Sequence, residues 1–233
     1  MLYTQTVAPA TLGLLKRLQS EPALGMSCIT GRMALALHLG HCACRAAELH
    51  LPDVFSWELL EELLGDNYGF QGRREDDGLR GHIGETEIFL HEQRHTLVSR
   101  PVEEAGLRLC GLGDCAAGTL REIETDGTRE SSFADLACLS ARLSLDAMLA
   151  CYSRKYPSSN VVGAVKAFLY FNDIAPDRYP QPLPGYEYTW KATAVRIQEM
   201  IDAPNKVFAG YPFPQRQGLQ EEAVSKEQGR KRQ

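Results

Sequence analysis

Two short stretches of the 233-residue chain hold residue types that could do chemistry. In the first, Ser27 to Thr30 reads as an apolar strand that passes through a turn at Gly31 into a helix from Met33 to Gly40. A strand feeding straight into a helix at a glycine leaves the first helical N–H groups free, and such an end welcomes phosphate. Arg32 stands at that end and has the forked guanidinium that suits a phosphate or a carboxylate. The second stretch is His38-Leu-Gly-His-Cys-Ala-Cys44, with His50 beyond it. His38 and His41 share a helix face, and Cys42 and Cys44 could close a tetrahedral zinc site. Four ligands within seven residues are cramped beside ordinary zinc spacings, so a structural histidine is the favoured reading and no metal is expected there.

The elements that must position these residues are legible around them. Pro9 to Ser20 places Leu12, Leu15 and Leu18 at helical spacing, with Leu14 widening the stripe. A second strand, Arg45 to Leu51, follows the glycine-turn helix. Ser56 then caps a helix that Gly65 is expected to end. Tyr68 to Arg74, Leu79 to Ile83 and Glu85 to His91 alternate and are separated by turn residues, which reads as an antiparallel set. From Leu112 the texture is helical: Asp114 to Ile123, Ser132 to Leu143, Ser144 to Tyr156, Ser159 to Phe171 and Trp190 to Ile201, with Ser144 and Ser159 as caps. Asp173 to Tyr188 is too rich in proline for regular structure. The expected class is therefore α/β (α+β): a small mixed sheet flanked by helices over residues 1–113, a helical bundle over 114–213, and a disordered tail over 214–233.

Composition narrows the functions. A hydrophobic fraction of 44% with 24% charged residues supports a packed core. The net charge of −5 becomes −7 once the basic tail is set aside, which argues against a generally basic nucleic-acid binder. Seven cysteines, several inside apolar runs, read as buried thiols in a reducing cytoplasm. No apolar run approaches the length of a membrane span.

Longer stretches carry a family likeness. Ala34-Leu-Ala-Leu-His-Leu-Gly-His41, the opening Met1-Leu-Tyr-Thr-Gln-Thr-Val-Ala-Pro9, Tyr152-Ser-Arg-Lys-Tyr-Pro-Ser-Ser-Asn160 and Leu169-Tyr-Phe-Asn-Asp173 together resemble the AbiEii/AbiGii toxin family of nucleotidyltransferases. The likeness spans about residues 1 to 203. It implies a nucleotidyltransferase fold, a toxin of a toxin–antitoxin system, an antitoxin partner, NTP as donor and tRNA as acceptor. It also implies that the phosphate-binding turn is Gly31, Arg32 and Met33, where the family carries small and hydroxylated residues. Ala46 replaces the first carboxylate of the family's Asp-x-Asp, Glu48 stands at the second, Ile88 at the third acid, and Thr119 near a nucleotide-contacting Lys.

Those replacements predict a degraded catalytic site. Magnesium can sit on one or two carboxylates when phosphates and water complete its shell, so Glu48 is the ligand if there is one, and magnesium the cofactor if the chain is active. Two-metal transfer needs more acids than that. Rescue would need a one-residue bulge carrying Glu87 to the place of Ile88, giving a Glu48–Glu87 catalytic pair. Without it the scaffold is an inactive relic, or a module that binds a partner or phosphate through Arg32; the bland alternative pairs Arg32 with a carboxylate such as Glu48.

Overall fold

The computed structural model describes residues 1–52, 54, 56–170, 174 and 186–213. Residues 214–233, expected to form a disordered tail, and most of the proline-rich loop lie outside them.

The first third of the chain builds the frame of the glycine turn. Helix α1 (Pro9–Ser20) begins with a proline at its first turn, where the missing N–H costs nothing, and buries Leu14, Leu15 and Leu18. Strand β1 (Cys28–Thr30) leads with no intervening loop into α2 (Gly31–Leu39), two residues earlier than the sequence suggests. Met33, Ala34, Leu35, Ala36, Leu37 and Leu39 of α2 are all buried. At about 1.5–3 kcal/mol per large apolar side chain taken from water, this helix is a principal source of core stability. Strand β2 (Ala46–Leu51) then returns antiparallel to β1, with Thr30 opposite Glu48.

Helix α3 (Trp57–Tyr68) runs through Gly65, and the left-handed residue that ends it is Gly69 at φ 68°. Gly65 meets nothing within 4 Å of a would-be side chain, so it is only a weak point in a continuing helix. The Ser56 cap forms, its side chain accepting from the Leu59 N–H at 3.3 Å. Strands β3 (Gln71–Glu75), β4 (Gly78–Ile83) and β5 (Thr86–Glu92) form the expected antiparallel set. Two further strands, β6 (Val102–Glu104) and β7 (Leu107–Leu109), make a hairpin that the sequence reading missed. All seven join in one sheet of order β3-β4-β5-β2-β1-β7-β6, with β5 parallel to β2 and β7 parallel to β1.

Five helices follow: α4 (Leu112–Thr125), α5 (Glu130–Leu139), α6 (Leu145–Lys155), α7 (Val161–Leu169) and α8 (Trp190–Asp202). Ser144 caps α6 as expected, whereas α7 is capped by Asn160, which accepts from the Val162 N–H at 3.0 Å, and not by Ser159. Helices α4 and α5 pack directly on α2, so the glycine turn lies where the sheet meets the helical half. A buried carboxylate, Asp114, reaches across that junction. Asp114 of α4 meets Lys155 Nζ at 2.9 Å and accepts from the Val98 N–H at 2.9 Å. No helix among the described residues is long and apolar enough to cross a membrane.

The candidate active-site cleft

Register decides what faces the glycine turn. On β2, Ala47, Leu49 and Leu51 are buried, so Ala46, Glu48 and His50 share the opposite face. On β5, Ile88 and Leu90 are buried against the same core, while Glu87, Phe89 and His91 point with Glu48. The parallel pairing places Ala46 beside Glu87, Ala47 beside Ile88, Glu48 beside Phe89 and His50 beside His91. The residue alongside Glu48 is thus Phe89. Ile88, which the family likeness sets at the third acid, is buried in the core and does not share the face of Glu48. No bulge is needed to bring Glu87 to the site face, contrary to the sequence expectation, because alternation already puts it there.

Sharing a face does not make Glu48 and Glu87 a clamp. Glu87 turns toward Arg80 of β4 at 3.4 Å and lines a shallow trough with Gln71, Gly72, Arg73, Gly81 and His82. Glu48 turns the other way. Its Oε1 lies 3.4 Å from His50 Nε2, and its Oε2 fills the space that a side chain at residue 31 would take. Gly31 has φ +60°, a backbone conformation that favours glycine, and any side chain there would also displace the Glu48 carboxylate. Burial pushes the Glu48 carboxyl up, but the His50 hydrogen bond and the charges of His50 and His91 outweigh it and hold it below the ordinary carboxylate range. Glu48 opens onto a cleft of about 260 Å³ that also holds His50, His91, His95, Lys155 and Tyr156.

The turn residues are committed elsewhere. Met33 is buried and supplies no hydroxyl. Arg32 does pair with a carboxylate, as the bland alternative supposes, but the partner is Asp135 of α5 and not Glu48. Arg32 Nε donates to Asp135 Oδ2 at 2.7 Å, and Asp135 Oδ1 meets His41 Nε2 at 2.9 Å. Asp135 is buried; the Arg32 charge and the His41 hydrogen bond overcome burial and hold its carboxyl low. Thr119 is buried on α4.

The four proposed zinc ligands are not brought together. His38 contacts the Cys110 carbonyl at 2.8 Å, and the Cys44 thiol donates to the Ala46 carbonyl at 3.4 Å. His41, Cys42 and Asp135 do cluster within 4.8 Å. Their closest approach is the His41–Asp135 hydrogen bond, and Asp135 already neutralises Arg32. Burial drives the Cys42 thiol far up, so the group is a hydrogen-bonded core feature.

Sequence reasoning missed Glu122. It follows Thr119 by one helical turn on α4 and accepts from Ser132 Oγ at 3.0 Å. Although it keeps solvent contact, desolvation by the surrounding protein, with the charges of Asp135 and Glu48, raises its carboxyl to about 7. Its i+3 spacing from Thr119 was the available signal. A raised folded-state value means that Glu122 favours the native state below its unfolded value of about 4.3 and loses that contribution as pH rises toward 7. Glu122→Gln is therefore expected to flatten the fall in melting temperature between about pH 5 and 7, measured by thermal scans across that range.

No family model and no curated protein matches the sequence. Among solved structures, a candidate nucleotidyltransferase from H. pylori superposes with a TM-score of 0.52 at 16% identity, covering 84% of this chain and 91% of that one. JHP933 from Helicobacter pylori superposes at 0.49 with 13% identity, over 96% and 99%. An antigenic nucleotidyltransferase-like protein from Paracoccidioides brasiliensis gives 0.41 at 16% identity, over 66% and 91%. The first of these likenesses, with the mixed sheet and the helix that leaves β1 at Gly31, shows that this chain has a nucleotidyltransferase fold.

Proposed function

We propose that this protein is a degenerate nucleotidyltransferase of the AbiEii/AbiGii toxin kind whose magnesium–NTP chemistry has been lost, leaving a non-catalytic scaffold. The observation that carries this reading is the site face itself. Glu48 has Ala46 two residues before it and Phe89 beside it on β5, and its own carboxylate occupies the Gly31 turn. Magnesium for in-line transfer needs carboxylates that converge on the incoming phosphates. The residues present do not fit that requirement. An anionic carboxylate held against the turn also opposes the entry of a triphosphate, and Arg32 is neutralised by Asp135. A second reading, transfer through Glu48 and Glu87, has their shared strand face in its favour and the Arg80 contact of Glu87 against it.

A cognate antitoxin in the cytoplasm is the proposed partner, with NTP and tRNA no longer turned over. Incubation with magnesium, each labelled NTP and a tRNA pool is expected to give no labelled tRNA. Transfer that disappears in Glu48→Gln would sink the reading and restore an enzyme.

A further inference from the structure

The cleft beside Glu48 holds a constellation that the nucleotidyltransferase reading leaves unused. Glu48 and His50 are two apart on β2 and therefore share a face, and His91 lies directly opposite His50 on the neighbouring strand. Three donors so placed stand on one face of the sheet, with ligand atoms that do not all lie within 4.8 Å of one another as the side chains stand. Glu48 Oε1 and His50 Nε2 are 3.4 Å apart, the separation of two ligands bound at ~2.0–2.2 Å on one tetrahedral ion. The His50 and His91 ring centres are 6.1 Å apart and edge-on. Two imidazoles bound to one ion at about 2.0–2.1 Å have ring centres roughly 5–6 Å apart, so the two rings must close and turn to share an ion.

What stands behind His91 points the same way. Asp77, at the turn between β3 and β4, has Oδ1 3.6 Å from His91 Nδ1, so its carboxylate stands at ion-pair range on the Nδ1 side of the ring. A carboxylate on the far nitrogen is the usual support of a metal-bound histidine, since it fixes the ring and makes the other nitrogen a better donor. All four side chains line the same open cleft, which gives an entry path and room for water as a further ligand. The nearby Lys155 is neutralised by Asp114 at 2.9 Å and so opposes a cation little.

We propose that Glu48, His50 and His91 form a binding site for a borderline-soft divalent ion such as zinc or cobalt(II), with Asp77 orienting His91. The donor set is imidazole-rich and suits such ions over magnesium, whose preference is for oxygen. The inference stands whether or not nucleotidyl transfer survives, because it uses different residues at one shared acid.

The test is cobalt(II) titration of the full chain, followed by visible d–d absorption, with zinc competition. The expected result is one saturable tetrahedral spectrum that zinc displaces and magnesium does not. His50→Ala and His91→Ala should abolish it. Asp77→Asn, which leaves every ligand in place, should weaken binding by about 10–100-fold. His82→Ala, an exposed histidine on β4, should change nothing. Absence of a saturable spectrum would overturn the site, as would a spectrum that persists without both His50 and His91. A near-ultraviolet thiolate band would also overturn it, because it would move the ion to the buried cysteines around Cys42.

Discussion

Asp135→Ala is expected to lower stability by roughly 3–5 kcal/mol, the usual cost of removing one partner from a buried charge pair. For a domain of this size that is a fall of roughly 6–20 °C in melting temperature. The reason lies in what is left behind. Asp135 is 4% exposed and is the partner of both Arg32 Nε and His41 Nε2, and the His41 side chain is fully buried. Its loss strands a guanidinium and an imidazole in the seam between α2 and α5. His41 Nδ1 already has no partner among the described residues, so the ring would have none on either nitrogen except the weak Cys42 thiol. Removing Glu75 from its exposed pair with Arg73 should, by contrast, change stability by about 1 kcal/mol or less. Thermal melts of the two variants check both values. Equal effects would mean that the Arg32–Asp135–His41 network does not hold the junction.

The second large effect separates two neighbouring positions on β5. Ile88→Asp is expected to cost roughly 4 kcal/mol or more, because it removes a fully buried side chain and places a carboxylate in the core. Ile88 faces the same side as Ala47 and pairs with Gly81 on the other neighbour. Phe89→Asp should cost within about 2 kcal/mol. Phe89 is half-buried on the site face, and the Arg80 guanidinium that now lies 4.6 Å from its ring centre would meet the new carboxylate instead. Chemical denaturation of the two variants decides the matter. A tolerated Ile88→Asp would show that the face assignment is inverted, and with it the claim that Phe89 stands beside Glu48.

That contrast also marks where sequence reasoning stops. The β1–Gly31–α2–β2 unit was legible because its signals are local: apolar strands with alternation, a glycine between strand and helix, a leucine-rich helix. Helix α1 was read to the residue from one proline and a leucine stripe. The β2–β5 register was not legible, since it joins residues some forty positions apart and no local pattern fixes it. The family likeness sets the third acid at Ile88, whereas the pairing puts Phe89 beside Glu48. Strands β6 and β7, three residues each, are too short to show a period. The partner of Arg32 lies 103 residues away on α5, and the raised carboxyl of Glu122 comes from desolvation and from the charges of Asp135 on α5 and Glu48 on β2.

The central claim is that the glycine turn no longer accepts magnesium and a nucleoside triphosphate, because the Glu48 carboxylate stands against it and Glu87, on the same strand face, turns to Arg80. The most direct measurement is a calorimetric titration of each NTP, with magnesium in excess, into the unaltered protein. A bound ligand at a hundred times its dissociation constant would add about 2.7 kcal/mol to stability, so a parallel melt provides a second readout of the same event. The account predicts no saturable heat and no shift for any of the four nucleotides. Saturable, magnesium-dependent binding of one NTP that is lost in Glu48→Gln would contradict it.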